Sequence, residues 1–389
     1  MTVAQTILKQ IERASWIRRM FEEGDRLRAV RGAENIFDFT LGNPEVQPPE
    51  QVTAALARIS AENRPRSHGY MPNAGYPEVR ETIARRLAQR TGLPYNAGHI
   101  LMTVGSSGAI NTVLKAILDP GDEVMVLAPY FPEYKFYIEN HGGRLVPVET
   151  TETFQPDFDR IAAALTPRTK ALILNSPNNP TGVVYSAQAL EQLEAVLRGT
   201  EVTVISDEPY RALVFNGCQV PETSSHITRT VTAISWSKSQ AISGERIGYL
   251  AISPRLPDAD ALREACTFTN RILGYVNAPA IWQWVEAEAG ECTVDVSAYQ
   301  HKRDLLSHAL TRIGYELTIP DGAFYLFPKS PISDDVAFIR ILLNEGILAV
   351  PGAGFGRSGY FRLSLTVPLD TVERSIPGFE RAFKAARAA

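Results

Sequence analysis

Cysteine and histidine are scarce, and long apolar runs are missing. Only Cys218, Cys266 and Cys292 occur in 389 residues. Odd in number and widely spaced, they argue against a disulfide framework or a cysteine zinc site and read as reduced thiols. Six scattered histidines show no ligand spacing, so no metal is expected. No stretch approaches the roughly 18 apolar residues that span a bilayer, and Met1–Gln10 lacks the charged-then-apolar order of a secretory leader. Basic blocks are lacking too, and net charge stands near balance at −4. Neither nucleic acid nor a membrane surface is therefore expected as a main partner, and a soluble, cytoplasmic protein is the reading.

What is present is a chain longer than one hydrophobic core usually organises, with 44% hydrophobic residues to fill two. Residues 1–38 contain charged, helix-like segments, followed by a short strand at 37–41. Apolar residues at helical spacing mark 51–61 and 77–90, with Pro77 suited to a first turn and a breaker-rich loop between them. From residue 100 short apolar strands alternate with helices: 100–104, 123–128, 171–175, 202–206, 230–234 and 248–252, with helices at 109–118 and 187–197. This pattern predicts an α/β fold with a mostly parallel sheet covered by helices. Residues 257–312 read as helical. Mixed strands at 323–327, 347–350 and 360–365 and a closing helix at 370–388 predict a smaller α+β domain.

In open α/β sheets ligands bind beyond the carboxyl ends of the strands, so the residues just past each predicted strand matter most. Gly105-Ser106-Ser107 follows the first, at a helix N-terminus that favours an anion or is simply capped by serine. The turn is not Gly-x-Gly-x-x-Gly, which speaks against a dinucleotide. After 171–175 comes Ser-Pro-Asn-Asn-Pro-Thr-Gly, where two prolines fix a turn and leave the Asn179 amide for a ligand. Asp207-Glu208-Pro209-Tyr210 puts a carboxylate at the next strand end. Ser235-Trp236-Ser237-Lys238 adds an amine, with Arg246 eight residues beyond it. Each motif alone has a bland reading, as a cap, a loop or a solvated lysine. Together they meet the needs of pyridoxal phosphate: an amine for its aldehyde, an anion for its ring nitrogen, donors for its phenolic oxygen and a cationic, hydroxylated cradle for its phosphate.

In that order, and with Arg362 late in the chain, these motifs resemble the class I/II aminotransferases of pyridoxal phosphate fold type I, aspartate aminotransferase-like, from about Phe37 to the C-terminal helix. The resemblance implies a transaminase (EC 2.6.1.-) that moves an amino group from an L-amino acid to a 2-oxo acid. It implies Lys238 as the Schiff-base lysine, Asp207 as partner of the pyridine nitrogen, and Asn179 and Tyr210 as donors to the phenolic oxygen. Gly105, Ser106, Ser107, Ser235 and Arg246 fall in the phosphate cradle, and Phe131 stacks on the ring. Arg362, with Gly42 and Asn179, would bind the substrate. Tyr70 would reach the neighbouring subunit's phosphate in a homodimer. The large cofactor domain is expected at 46–280 and the small one at 1–45 with 281–389.

One aspartate-using branch of the family carries a lysine near the phosphate loop that meets the distal carboxylate. Gly105-Ser106-Ser107-Gly108 has none. Arg18 and Arg271 are the candidates for a second substrate charge. The same cofactor cradle also serves β-lyases and decarboxylases, which stay open as alternatives. A non-catalytic regulator is the remote one, since only about 40 residues precede the resemblance and no basic footprint accompanies it.

Overall fold

The computed structural model describes residues 2–13, 26, 28, 32–62, 64 and 67–388. Its strands, in chain order, are β1 (Phe37–Asp38), β2 (Ile100–Thr103), β3 (Glu123–Ala128), β4 (Arg144–Glu149), β5 (Thr169–Asn175), β6 (Thr203–Asp207), β7 (Thr230–Ser235), β8 (Gly248–Ile252), β9 (Tyr325–Leu326), β10 (Ile347–Leu348), β11 (Val350–Pro351) and β12 (Phe361–Ser364). A seven-stranded sheet runs β2-β8-β7-β6-β5-β3-β4. Only β8 is antiparallel to its neighbours; every other pair is parallel. The expected mostly parallel sheet is therefore the one observed.

Side-chain alternation explains how this sheet is covered. Val124 and Val126 of β3 enter one core with Ile173 and Ile205, beneath the Gly105–Ile117 helix. Their neighbours Met125 and Leu127 enter another, with Leu172, Leu174 and Leu193 of the Ala187–Leu197 helix. A strand buried on both faces needs apolar residues throughout, and β3 has no exposed position. The edge strand β4 escapes the sequence reading for the opposite reason. Its residues are mostly exposed or half-buried, and Pro147, tolerable at an edge, interrupts the apolar run.

A separate core joins Phe39 and Tyr210 to residues 294–386 around the antiparallel sheet β11-β12-β9. The chain's first strand belongs there, with Phe37 opposite Ile347 in the parallel β1–β10 pair. Strands here are shorter than expected: 37–41 contracts to β1, 323–327 to β9, and 347–350 divides into β10 and β11. Each meets its partner over about two residues, which limits the ladder whatever the local propensity. Helices 51–61, 77–90 and 370–388 appear within two residues of their expected bounds. Gly92, at φ 71°, ends the second by donating its N–H to Ala88 O at 2.9 Å.

The two rims of the large sheet differ in kind. At the amino end of β3, the buried Glu123 carboxylate accepts from Thr166 Oγ1 (2.8 Å) and Arg168 Nε (3.2 Å) and pairs with Arg144. That clamp ties β3, β4 and the approach to β5 together. At the carboxyl ends of the strands lies a cavity.

Candidate active site

Five strands of the large sheet deliver side chains to one cavity of about 300 Å³. β6 ends on Asp207 and β7 on Ser235, after which a turn presents Lys238; Asn175 closes β5 and Asn179 lies in the turn beyond. Phe131 follows β3, and Ser106 and Ser107 occupy the first turn of the helix after β2. Arg362 enters from β12 and Gly42 from the segment after β1, so the second core closes the cavity. Gly105 backs the wall rather than lining it. At φ 78°, a Cβ there would stand 3.1 Å from Arg246 Nη2.

Burial sets the electrostatics. Desolvation, with Arg246 and Arg362 nearby, lowers the Lys238 amine to about 8, and its Nζ donates to Gly42 O at 2.6 Å. Desolvation also raises Asp207 to about 6. Its Oδ2 accepts from Tyr134 OH at 2.6 Å, whereas its buried Oδ1 accepts no hydrogen bond of good geometry; Tyr134 and the nearby Ser106 hydroxyl offset part of the effect of burial. The Tyr210 and Tyr325 hydroxyls lie 3.1 Å apart. Ser235 Oγ donates to Ser237 Oγ at 2.7 Å.

Arg362 is held on several sides. Nη1 donates to Asn179 Oδ1 (3.1 Å) and Nη2 to Thr40 O (2.6 Å), while the rings of Tyr325 and Phe355 flank the guanidinium at 4.7 and 4.8 Å. Its buried Nε is unpartnered. The Asn179 amide, expected free for a ligand, is thus half committed to Arg362. Arg246, in the left-handed region at φ 54°, donates Nη1 to Ser243 O (2.8 Å) and Nη2 to Val104 O (3.3 Å). The second donation ties the two loops of the expected phosphate cradle.

Tyr70 lies outside this cavity and is 92% exposed. Arg271 sits over Phe268 at 5.3 Å, also away from the site, and Arg18 lies outside the described residues. Sequence reasoning missed Tyr134, Tyr325 and Glu133, all of which line the cavity. Tyr134 had a readable signal, because it follows Phe131 by three residues into a helix, and their rings meet edge-on at 5.6 Å. Tyr325 had none, being 115 positions from Tyr210. Among the described residues no group of three or more His, Cys, Asp or Glu could hold a metal, and no helix is long and apolar enough to cross a membrane.

The family model for aminotransferases of class I and II matches residues 34–377. The chain belongs to this aminotransferase family. Similar to it are the aspartate/prephenate aminotransferase of Thermus thermophilus, 35% identical with 91% of this chain and 93% of that protein covered, and the aspartate aminotransferase of Thermotoga maritima, 31% identical with 90% and 92% covered. Among solved structures, an amino transferase from Eubacterium rectale superposes with a TM-score of 0.95 at 37% identity, covering 99% of both chains. The aspartate aminotransferase of Thermus thermophilus with maleate gives 0.84 at 32%, covering 95% of this chain and 96% of that one. This aminotransferase is accordingly an enzyme of amino-acid metabolism, and the family's reactions use pyridoxal phosphate.

Proposed function

We propose that the cavity binds pyridoxal 5'-phosphate through Lys238 and transfers an amino group from an L-amino acid held by Arg362 to a 2-oxo acid. The observation that carries this is the buried Asp207 Oδ1, without a hydrogen bond of good geometry, in the same cavity as an amine lowered to about 8. A protonated pyridine nitrogen would give that oxygen its missing donor, and the cation would draw Asp207 back toward its charged form. The donor set fits the remainder of the group: Ser106, Ser107, Ser235 and Arg246 for phosphate, Asn179 and Tyr210 for the phenolic oxygen, Phe131 for the ring face. When bound, the cofactor supplies an electron sink for charge that develops at the substrate α-carbon.

The chain's own residues do the rest. Arg362, with Gly42 and Asn179 beside it, orients the α-carboxylate by a two-pronged pair and so fixes the bond from which a proton leaves. Lys238 is the covalent attachment point and, once released, the base that moves that proton, a task suited to an amine near 8. Asp207, backed by Tyr134, keeps a fixed negative charge behind the ring nitrogen. The division into 46–280 and 1–45 with 281–389, a cytoplasmic location and a homodimer in which Tyr70 reaches the neighbouring site belong to the same reading. The separate sheets, the three free cysteines and the exposure of Tyr70 support it.

The test is an assay with a panel of amino donors and 2-oxo acids that follows new amino acid, oxo acid and ammonia separately, after borohydride reduction and peptide mapping have located the cofactor. Label on Lys238 and stoichiometric amino transfer are expected. Label elsewhere, or ammonia as the main product, overturns the proposal.

A further inference from the structure

The geometry points to Glu133 as the residue that reads the amino donor's side chain, selecting a donor that ends in an ammonium or guanidinium and disfavouring one that ends in a carboxylate. This rests on the aminotransfer reading above and names its substrate class. Three cations line the cavity: Lys238, Arg246 and Arg362. The first is assigned to the cofactor aldehyde, the second to its phosphate and the third to the α-carboxylate, so among the described residues no lining cation remains for a second carboxylate; Arg18 lies outside them. Arg271 is elsewhere, and the loop Gly105-Ser106-Ser107-Gly108 carries no lysine.

A carboxylate is there instead. Glu133 lines the same cavity and acts electrostatically on Arg362 and Tyr325, the pair assigned to the α-carboxylate side, as well as on Tyr137, which reaches toward Ser107. As the first residue of the Glu133–Asn140 helix it gains from the helix dipole, which accounts for an acid at this position. The dipole does not account for its carboxylate leaving one buried oxygen without a partner. Glu133 Oε2 is buried without a hydrogen-bond partner. Burial raises the Glu133 carboxyl, and a hydrogen bond from its own backbone N–H, followed by Arg362, pulls it only part of the way back. A carboxylate oxygen buried and left so is costly until a cation or donor arrives, and a substrate ammonium supplies both. A second carboxylate in the same place would add like-charge repulsion to the unmade bond.

The experiment uses one five-carbon chain with three ends. Pentanoate, glutarate and 5-aminopentanoate are titrated calorimetrically into the cofactor-loaded wild type and Glu133→Gln, a near-isosteric change, with thermal melting run on both to show that the variant is folded. Wild type should bind 5-aminopentanoate at least about tenfold tighter than glutarate, the scale of one charged hydrogen bond. In Glu133→Gln that ratio should fall to about threefold or less while pentanoate changes by less than about twofold. Kinetics should follow, with L-ornithine ahead of L-glutamate in wild type and the advantage lost in the variant. Glutarate binding as well as or better than 5-aminopentanoate, or a variant that weakens all three ligands alike, overturns the assignment. A protein with the expected binding ratio but no amino transfer would remove the aminotransfer reading and leave Glu133 as the selecting group. Transfer with a glutarate preference would do the reverse.

Discussion

Lys238 and Asp207 are moved off their ordinary titration by the same cause, burial, and in directions that keep both nearer to neutral. An amine attacks an aldehyde only without its proton, and Lys238 loses that proton as pH rises through about 8 instead of 10.5. Covalent uptake of added pyridoxal phosphate by cofactor-free protein should therefore accelerate with a midpoint near pH 8 when followed by absorbance; a midpoint near 10 would mean that the burial is not felt in solution. Arg362 is planar, stacked between Tyr325 and Phe355, and engaged through two nitrogens. Lysine keeps the charge and loses both the fork and the stacking, so Arg362→Lys should cost about 2–4 kcal/mol in kcat/KM with cofactor affinity nearly unchanged. Steady-state kinetics and cofactor titration check the two halves of that statement. At this scale the residues that follow strands were legible, because a strand end is a place the sequence marks. Tyr325 and Glu133 were not: the first depends on a contact between distant segments, the second on which side of a short helix faces the cavity.

Elements were legible where both faces of a strand are buried, as in β3 and β8, whose expected and observed limits coincide. They were less so at β4, where one-sided burial and Pro147 dilute the signal, and in the 323–365 region, where short partners truncate the ladders. The helix expected at 109–118 begins four residues earlier, at Gly105, so Ser106 and Ser107, expected at its N-terminus, lie inside its first turn. How closely β8 approaches that turn was invisible in the sequence. A Cβ on Gly248 would collide with the Ile234 carbonyl oxygen and stand 2.9 Å from Gly105 Cα, whereas one on Gly244 would meet nothing within 4 Å. Gly248→Ala should accordingly destabilise the fold by about 1–3 kcal/mol, the usual range for overpacking, and weaken cofactor retention by displacing the phosphate turn. Gly244→Ala is the control. Equal denaturation midpoints and equal cofactor affinities for the two variants would show that the β8 contact is slack.

On the scale of the whole molecule, an exposed tyrosine in a breaker-rich loop and a site lined from both cores make assembly testable. If Tyr70 completes the neighbour's site, a Lys238→Ala chain mixed with a crippled Tyr70→Phe chain should form hybrids that place both lesions in one site and none in the other. Activity should then rise above either parent toward about half of wild type per hybrid. Hybrids verified by mass that recover nothing, or a monomer by sedimentation, would remove the shared site. The Glu123 clamp has a different bearing. It holds β3 and β4 at the rim away from the cavity, with its two arginines largely in solvent and no contact to any group assigned a chemical role. Glu123→Gln should lower stability by about 1–3 kcal/mol in urea unfolding while kcat stays put. If the opposite rim sets preference as proposed, a lineage can trade one donor for another at the carboxyl ends without loosening the knot that keeps the chain alive.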